Sequence, residues 1–162
     1  MNWDIIGGTV LVNGSLQTGT PGASTVMVVA CGCYDLPVLG GTGKLDKLQV
    51  ITGGTLAPGA AGASTGTLTA NSVSMGLGAT FAVQLGGTGP NGYDVLKVTG
   101  DVNVGDATLD LSLINGFSPS AGASFTIIDN ESNDAVSGTF AGLAEGAGIS
   151  LGGQTFYISY LG

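Results

Sequence analysis

Glycine is spread along almost the whole chain, and this distribution constrains the fold more than any other feature of the sequence. There are 31 glycines, and the longest interval without one runs from Ala123 to Ser137. Because each glycine inside a helix costs roughly 1 kcal/mol relative to alanine, few windows of this sequence favour a helix. We therefore expect the secondary structure to be something other than helix.

Hydrophobic and polar residues alternate in several short segments that are bounded by Gly, Asn, Asp and Pro. Phe81, Val83 and Leu85, for example, share one face of such a segment. A period of two is typical of short half-buried strands, so the sequence predicts an all-β fold. The same alternation occurs at 10–12, 67–71, 108–113 and 155–160.

Three β architectures are compatible with such strands: a sandwich, a closed barrel and a solenoid. The first part of the chain favours the solenoid because short motifs recur in it. Gly-Gly-Thr occurs at 7–9, 40–42 and 53–55, and Gly-Ala-Ser-Thr occurs at 22–25 and 62–65. Such self-similarity indicates rungs that stack along an axis with glycine at the tight corners. We predict a β-solenoid and keep a β-sandwich as the alternative.

The composition changes near residue 66, which predicts two parts within the fold. Residues 1–66 are repetitive and are expected to form solenoid coils. Residues 67–162 contain longer and better patterned strands and most of the aromatic residues. They are expected to form a more individual terminal β unit that continues or caps the solenoid, since an open coil exposes strand edges and core.

The charge balance excludes several functions. The only cations are Lys44, Lys47 and Lys97, against 11 acidic residues, and the formal net charge is −8. Nucleic acid and anionic membrane surfaces are bound by clusters of cations, so neither is expected as a partner, and direct membrane insertion is not expected either. There is no histidine, which removes the usual general base and the Ser-His-Asp arrangement, so we expect no enzyme.

Cys31 and Cys33, the two cysteines of the chain, lie only two residues apart, which is unusual for this sequence. Residues two apart in a strand point to the same side, so both sulfur atoms would face one ligand or one partner. A closed zinc site takes four ligands, and the chain has no further cysteine and no histidine. Three alternatives follow: small buried or turn residues, which we favour, an intermolecular disulfide, and a metal site.

The segment 129–134 contains three acidic residues, Asp129, Glu131 and Asp134. Carboxylate oxygens are the ligands that calcium prefers, so these residues are candidates for a calcium site, and calcium is the one cofactor that the sequence suggests. The spacing is not that of an EF-hand, and a solvated turn explains the segment equally well.

Five aromatic residues offer faces on which a sugar ring would stack. A neutral-glycan-binding module is therefore the alternative function, with a glycan-processing β-helix enzyme as a weaker one. Most of these rings are more simply explained as core and cap residues, because aromatic residues make up only 6% of the chain. The five are Trp3, Tyr34, Tyr93, Tyr157 and Tyr160.

A series of motifs resembles a known family. Gly53–Gly59 followed by Gly66–Thr69 is similar to the pattern of autotransporter-associated β-strand repeats, which occur in the passenger regions of large secreted bacterial proteins. The resemblance covers residues 50–162 well and residues 7–50 loosely. The motifs that follow in the order of the family are Phe81–Gly87, Tyr93–Gly100, Phe125–Asp129 and Val136–Leu143.

This resemblance implies a right-handed parallel β-helix or a closely related solenoid. It also implies an extracellular, cell-surface location and a role as a stalk, adhesin scaffold or matrix component, with no catalytic residues. Partners would be neighbouring surface proteins or further copies of the chain. An end coil without a cover would present an edge to another chain and so allow filaments to form.

The first residues, Met1–Asp4, lack the basic start and apolar core of a signal peptide. The repeat pattern is already running by Gly7, and the chain stops at Gly162, where the family usually continues with another strand. We therefore expect the chain to be an excerpt of a longer secreted protein.

Overall fold

The computed structural model describes residues 2–16, 24–30, 35–60, 64–131 and 135–161. These residues form fifteen strands and no helix, and so none of them forms a helix that is long and apolar enough to cross a membrane. The strands are β1 (Asn2–Ile5), β2 (Thr9–Leu11), β3 (Ser15–Leu16), β4 (Thr25–Val28), β5 (Val38–Gly41), β6 (Lys44–Val50), β7 (Thr55–Pro58), β8 (Thr67–Met75), β9 (Thr80–Leu85), β10 (Val95–Val98), β11 (Val102–Asn103), β12 (Thr108–Leu113), β13 (Ile128–Asn130), β14 (Gly148–Leu151) and β15 (Gln154–Tyr157).

Two parallel sheets hold most of these strands. Sheet A has the order β1-β4-β6-β8-β10-β13, with β3 beside β6 and β11 beside β8, and sheet B has the order β2-β5-β7-β9-β12. The chain alternates between the two sheets as it advances, which makes a β-solenoid of about 4 turns. The predicted all-β solenoid is confirmed. The alternative, a β-sandwich, would be built from antiparallel sheets.

The core lies between the two sheets, where each coil places a hydrophobic residue over the equivalent residue of the coil before. In sheet B, Leu39, Leu56 and Phe81 are partners in register, and all three are 0% exposed. In sheet A, Leu48 lies beside Val73 in the same way. Since buried apolar surface contributes roughly 25 cal/mol per Å², these ladders are the main source of stability.

The predicted strand faces are confirmed where a strand has neighbours on both sides. Phe81 and Val83 of β9 are fully buried, as the alternation predicted. Leu109 and Leu111 of β12 point the same way but are only half-buried, because β12 is the last strand of sheet B. The strand predicted at 155–160 is shorter in the structure. It corresponds to β15 (Gln154–Tyr157), which pairs antiparallel with β14.

Glycine is required at the corners, as the repeated motifs suggested. Gly41 has a φ of 105°, and a Cβ atom on Gly43 would lie 2.2 Å from the carbonyl oxygen of Gly14 in the preceding coil. The three Gly-Gly-Thr motifs of the first part of the chain nevertheless occupy different corners. Those at 7–9 and 53–55 lead into sheet B, whereas the one at 40–42 leaves it. The motif therefore marks tight turns in general and not one position of a regular repeat.

The connections from sheet B to sheet A differ widely in length. Three of them are residues 42–43 after β5, residues 86–94 after β9 and residues 114–127 after β12. The strands on either side keep their register all the same, so the corners absorb the differences between coils. Parallel pairing also continues across residue 66, where β6 pairs with β8 and β7 with β9.

The Leu56→Ala substitution tests the core ladder. Leu56 is 0% exposed, so its removal leaves a cavity between two coils, and we expect the free energy of unfolding to fall by about 2–5 kcal/mol. The matched control is Leu77→Ala, because Leu77 is 76% exposed and its truncation should change stability by less than about 0.5 kcal/mol. Urea unfolding measures both. Equal losses in the two variants would contradict the assignment of the core.

Candidate functional site

Several residues that the sequence singled out lie outside the described part of the chain. Cys31 and Cys33 are among them, and so are Tyr34 and Asp134. The alternatives of buried thiols, an intermolecular disulfide and a metal site therefore stay predictions.

Asp129, the first calcium candidate, has a cationic neighbour. It is the register partner of Lys97 on the adjacent strand, and the Lys97 Nζ atom lies 3.1 Å from its Oδ2 atom. Both side chains are more than 40% exposed, so this pair contributes little to stability. Glu131 is exposed, and the described residues contain no group of three or more His, Cys, Asp or Glu side chains that would hold a metal ion. Calcium binding stays a prediction.

A row of hydrogen-bonded polar side chains crosses the strands of sheet A. Asp46 is only 2% exposed; its Oδ2 atom accepts a hydrogen bond from Ser24 Oγ (2.6 Å) and its Oδ1 atom accepts one from Asn71 Nδ2 (3.1 Å). Thr99 Oγ1 in turn donates to Asn71 Oδ1 (3.3 Å). These four residues, here called the polar ladder, join four successive coils, and the hydrogen bonds offset the cost of burying a carboxylate.

A second carboxylate is buried at the corner that leads from sheet B back to sheet A. Asp94 is 0% exposed, and its two oxygen atoms accept hydrogen bonds from the backbone N–H groups of Gly66 and Gln84, each at 2.8 Å. The only ion pair among the described residues joins Lys97 to Asp129, so Asp94 lacks a cationic partner. Burial raises its pKa from 3.8 to about 6, and the two hydrogen bonds lower it by less.

Sequence reasoning missed both buried carboxylates. One pattern would have pointed to Asp46: in Leu45-Asp46-Lys47-Leu48 the hydrophobic residues are three apart, so the period of two is interrupted by one residue, and Asp46 is buried at that interruption. No such pattern marks Asp94, because its partner Gly66 lies one turn earlier and its partner Gln84 lies across a nine-residue corner, residues 86–94.

The C-terminal end of the solenoid is closed by residues 139–161, here called the C-terminal cap. Phe140 is 2% exposed and stacks on Phe81, with ring centroids 6.1 Å apart and an interplanar angle of 9°. The Tyr160 hydroxyl donates to the carbonyl oxygen of Leu143 (2.7 Å) and accepts from the Phe140 N–H (2.9 Å). Burial raises the pKa of Tyr160. The cap is thus held in place by the stacking of Phe140 on Phe81 and by the Tyr160 hydroxyl, which forms hydrogen bonds with both Phe140 and Leu143.

A cleft of about 1010 Å³ lies between the last coil and the cap, and we call it the end cleft. Leu109 and Leu111 of β12 line one side, and Phe156 and Ile158 of the cap line another. Ile128 of β13 also borders it. The lining is mainly apolar, and the volume lies at the upper end of the range of ligand pockets, roughly 300–1,000 Å³.

The opposite end of the solenoid has no such cover among the described residues. Four large hydrophobic residues are exposed there, and we call this surface the N-terminal face: Trp3 (47%), Ile6 (54%), Val10 (40%) and Leu11 (44%). Val10 is the register partner of Leu39, which is 0% exposed. The two residues occupy the same place in their coils, so the exposure of Val10 comes from the missing neighbour on one side.

Of the aromatic residues proposed for sugar stacking that the structure describes, Tyr157 and Tyr160 border the end cleft, whereas Trp3 and Tyr93 do not. Trp3 lies on β1 at one end of sheet A, whereas Tyr157 belongs to the hairpin of the cap and is 74% exposed. Tyr93 packs edge-to-face against Phe125, with centroids 5.2 Å apart. Tyr160 holds the cap. As expected from the sequence, Tyr93 and Tyr160 are used in packing.

Comparisons of this chain with protein-family models, with curated proteins and with solved structures find no match. The resemblance to autotransporter-associated β-strand repeats therefore stays a prediction that rests on the motifs of the sequence.

Asp94 should make the stability of the protein depend on pH. Its pKa is higher in the folded than in the unfolded chain, so the folded state binds the proton more tightly and the stability falls as pH rises from about 4 to 6. A shift of about two units corresponds to a loss of about 3 kcal/mol. Asp94→Asn should remove this component of the slope, while Asp110→Asn, at an exposed position, should keep it. Urea unfolding at several pH values measures the slopes, and identical slopes in wild type and Asp94→Asn would contradict the assignment.

Tyr160→Phe should loosen the cap without unfolding the solenoid. The substitution leaves the Phe140 N–H and the Leu143 carbonyl without their partner, at a cost of about 1–3 kcal/mol. Amide hydrogen exchange should therefore accelerate in residues 139–161 and remain unchanged in β6–β9. Tyr157→Phe is the control, because that side chain is 74% exposed. Uniform acceleration along the whole chain would show that the cap does not open separately.

Proposed function

We propose that this chain is a non-catalytic structural or adhesive segment of a secreted bacterial surface protein, and that it extends by stacking one β coil on another. The observation that carries the proposal is the N-terminal face. The first strands of both sheets have one open edge there, and the hydrophobic residues beside those edges are exposed. An uncovered parallel edge is a template for a further strand.

Side-chain hydrogen bonds between coils agree with a mechanical role. Two carboxylates are buried: Asp46 accepts hydrogen bonds from Ser24 and Asn71 of the neighbouring coils, and Asp94 accepts one from Gly66, one turn earlier. Both therefore join coils along the axis. Backbone hydrogen bonds along both sheets would make such a segment stiff. Its partners would be neighbouring surface proteins or further copies of the chain.

Binding of a neutral glycan is the second candidate. The feature that favours it is a groove of about 380 Å³ on sheet A, which is lined by Thr25, Gln49, Ser72 and Ser74, and by other polar residues. Hydroxyl and amide groups form hydrogen bonds with sugars, but the lining contains no aromatic ring on which a sugar would stack. The structural role therefore has the stronger support.

The N-terminal face can be tested by charge substitution. We expect wild type to form oligomers that grow with concentration in sedimentation velocity, and more so at high salt, because a net charge of −8 makes copies repel one another. The double variant Trp3→Lys/Val10→Lys should stay monomeric, because it places charges on the contact surface. Leu77→Lys, at an exposed position away from both ends, should behave as wild type.

A wild-type chain that remains monomeric at the highest concentration and salt would overturn the stacking proposal. The same conclusion would follow if the double variant associated as strongly as wild type.

A further inference from the structure

The end cleft borders the interior of the last coil, and this position explains why it is apolar. Leu109 of β12 is the register partner of Phe81, and Ile128 of β13 is the register partner of Leu96. Phe81 and Leu96 are 0% exposed, whereas Leu109 and Ile128 are only half-buried. The last members of the hydrophobic ladders of both sheets therefore line the cleft, where the cap leaves them partly uncovered.

The walls of the end cleft are held in place by contacts between the connection 114–127 and the cap. Phe125 packs edge-to-face against Phe117, with centroids 6.2 Å apart, and against Phe156 of the cap, with centroids 5.8 Å apart. Ile158 is fixed in the cap, because its N–H donates to the Ala147 carbonyl (3.0 Å). These contacts leave a space of about 1010 Å³ between them. The cleft is thus formed before any ligand enters, as is usual for sites that bind small molecules.

The charges around the end cleft decide which class of molecule it suits. None of the three lysines lines it, and Asp129 is the only charged residue of the lining that the structure describes. The carboxylate of Asp129 is paired with Lys97, at 3.1 Å. An anionic group in the cleft would find no cation there, and a cationic group would compete with Lys97 for Asp129. Because a charge buried without a partner is costly, the cleft favours an uncharged molecule.

We propose that the end cleft binds an uncharged small molecule with an aliphatic chain, such as a long-chain alcohol. Leu109, Leu111 and Ile128 of the last coil and Phe156 and Ile158 of the cap would surround the chain. Each methylene group that leaves water for this apolar lining favours binding. Hydroxyl and amide groups also belong to the lining and would form hydrogen bonds with an uncharged head group. This inference goes beyond the structural role proposed above and does not depend on the stacking of chains.

Displacement of a fluorescent probe tests the ligand class. N-phenyl-1-naphthylamine is uncharged and becomes more fluorescent in apolar surroundings, so we expect saturable binding of one probe to each chain. Decanol should displace this probe at a concentration about tenfold lower than decanoate does, because the charged head of decanoate would be buried without a partner. The two competitors have the same chain length, so a difference between them reports the effect of the charge.

Substitutions that fill the end cleft test its location. Leu111→Trp adds bulk on the wall formed by β12, and Ala123→Trp adds bulk in the connection 114–127, outside both sheets. Both filling variants should bind the probe about tenfold more weakly than wild type, or not at all. Leu77→Trp and Trp3→Lys/Val10→Lys are the controls, because these residues are exposed outside the cleft, and both should bind as wild type. Circular dichroism checks that each variant folds, and the second filling variant serves if the first does not.

The results that would overturn the inference are distinct from those that would overturn stacking. Wild type without saturable probe binding, or a folded filling variant that binds as wild type does, would overturn the site. Decanoate that displaces the probe as well as decanol does would overturn the ligand class. Probe binding that is lost only in Trp3→Lys/Val10→Lys would place the probe on the N-terminal face and overturn the site as well. A chain that stays monomeric still offers the end cleft, so failure of the stacking proposal leaves this inference intact.

Discussion

Hydrogen bonding between parallel strands of successive coils is the constraint on which the rest of this structure depends. A strand in the middle of either sheet has its backbone groups satisfied on both sides, by the coil before and by the coil after. The hydrophobic ladders form because this pairing fixes the register, and Leu39, Leu56 and Phe81 are buried as a consequence. The same rule leaves the first and last strands with one open edge each, so the chemistry of the two ends follows from the way the middle is built.

The extent to which the sequence predicts this structure depends on how local each feature is. Alternation predicts the buried face of β9, and paired glycines predict tight corners such as Gly41, because both depend on neighbouring residues. Whether a strand lies in the middle or at the end of the solenoid does not depend on neighbouring residues in the sequence. Val10 and Leu39 share the same pattern, yet one is 40% exposed and the other is fully buried, because only one of them has a coil on each side. Asp94 escaped prediction for a related reason, since its partner Gly66 lies one full turn earlier in the chain.

The two ends differ, and this difference gives the solenoid a direction. At one end Phe140 fills the interior and Tyr160 holds the turn above it, while at the other end Trp3 and Val10 remain exposed. The cap covers part of the last coil and leaves the edge of β12 accessible from the end cleft. The described part of the chain therefore has an exposed apolar surface beside β1 and β2, and a partly covered one beside β12 and β13.

The unequal corners carry a consequence for how such a protein can vary. The connection from sheet B to sheet A grows from residues 42–43 to residues 114–127, while the strands that it joins stay in register. Lengthening a surface loop costs little, since each doubling adds only about 0.6 kcal/mol of closure entropy. Residues inserted at this corner would therefore leave the sheets unchanged, and the corners of successive coils are aligned along one side of the molecule. That side is a row of positions where related proteins can diverge in sequence, and where foreign peptides can be displayed, on a frame that does not change.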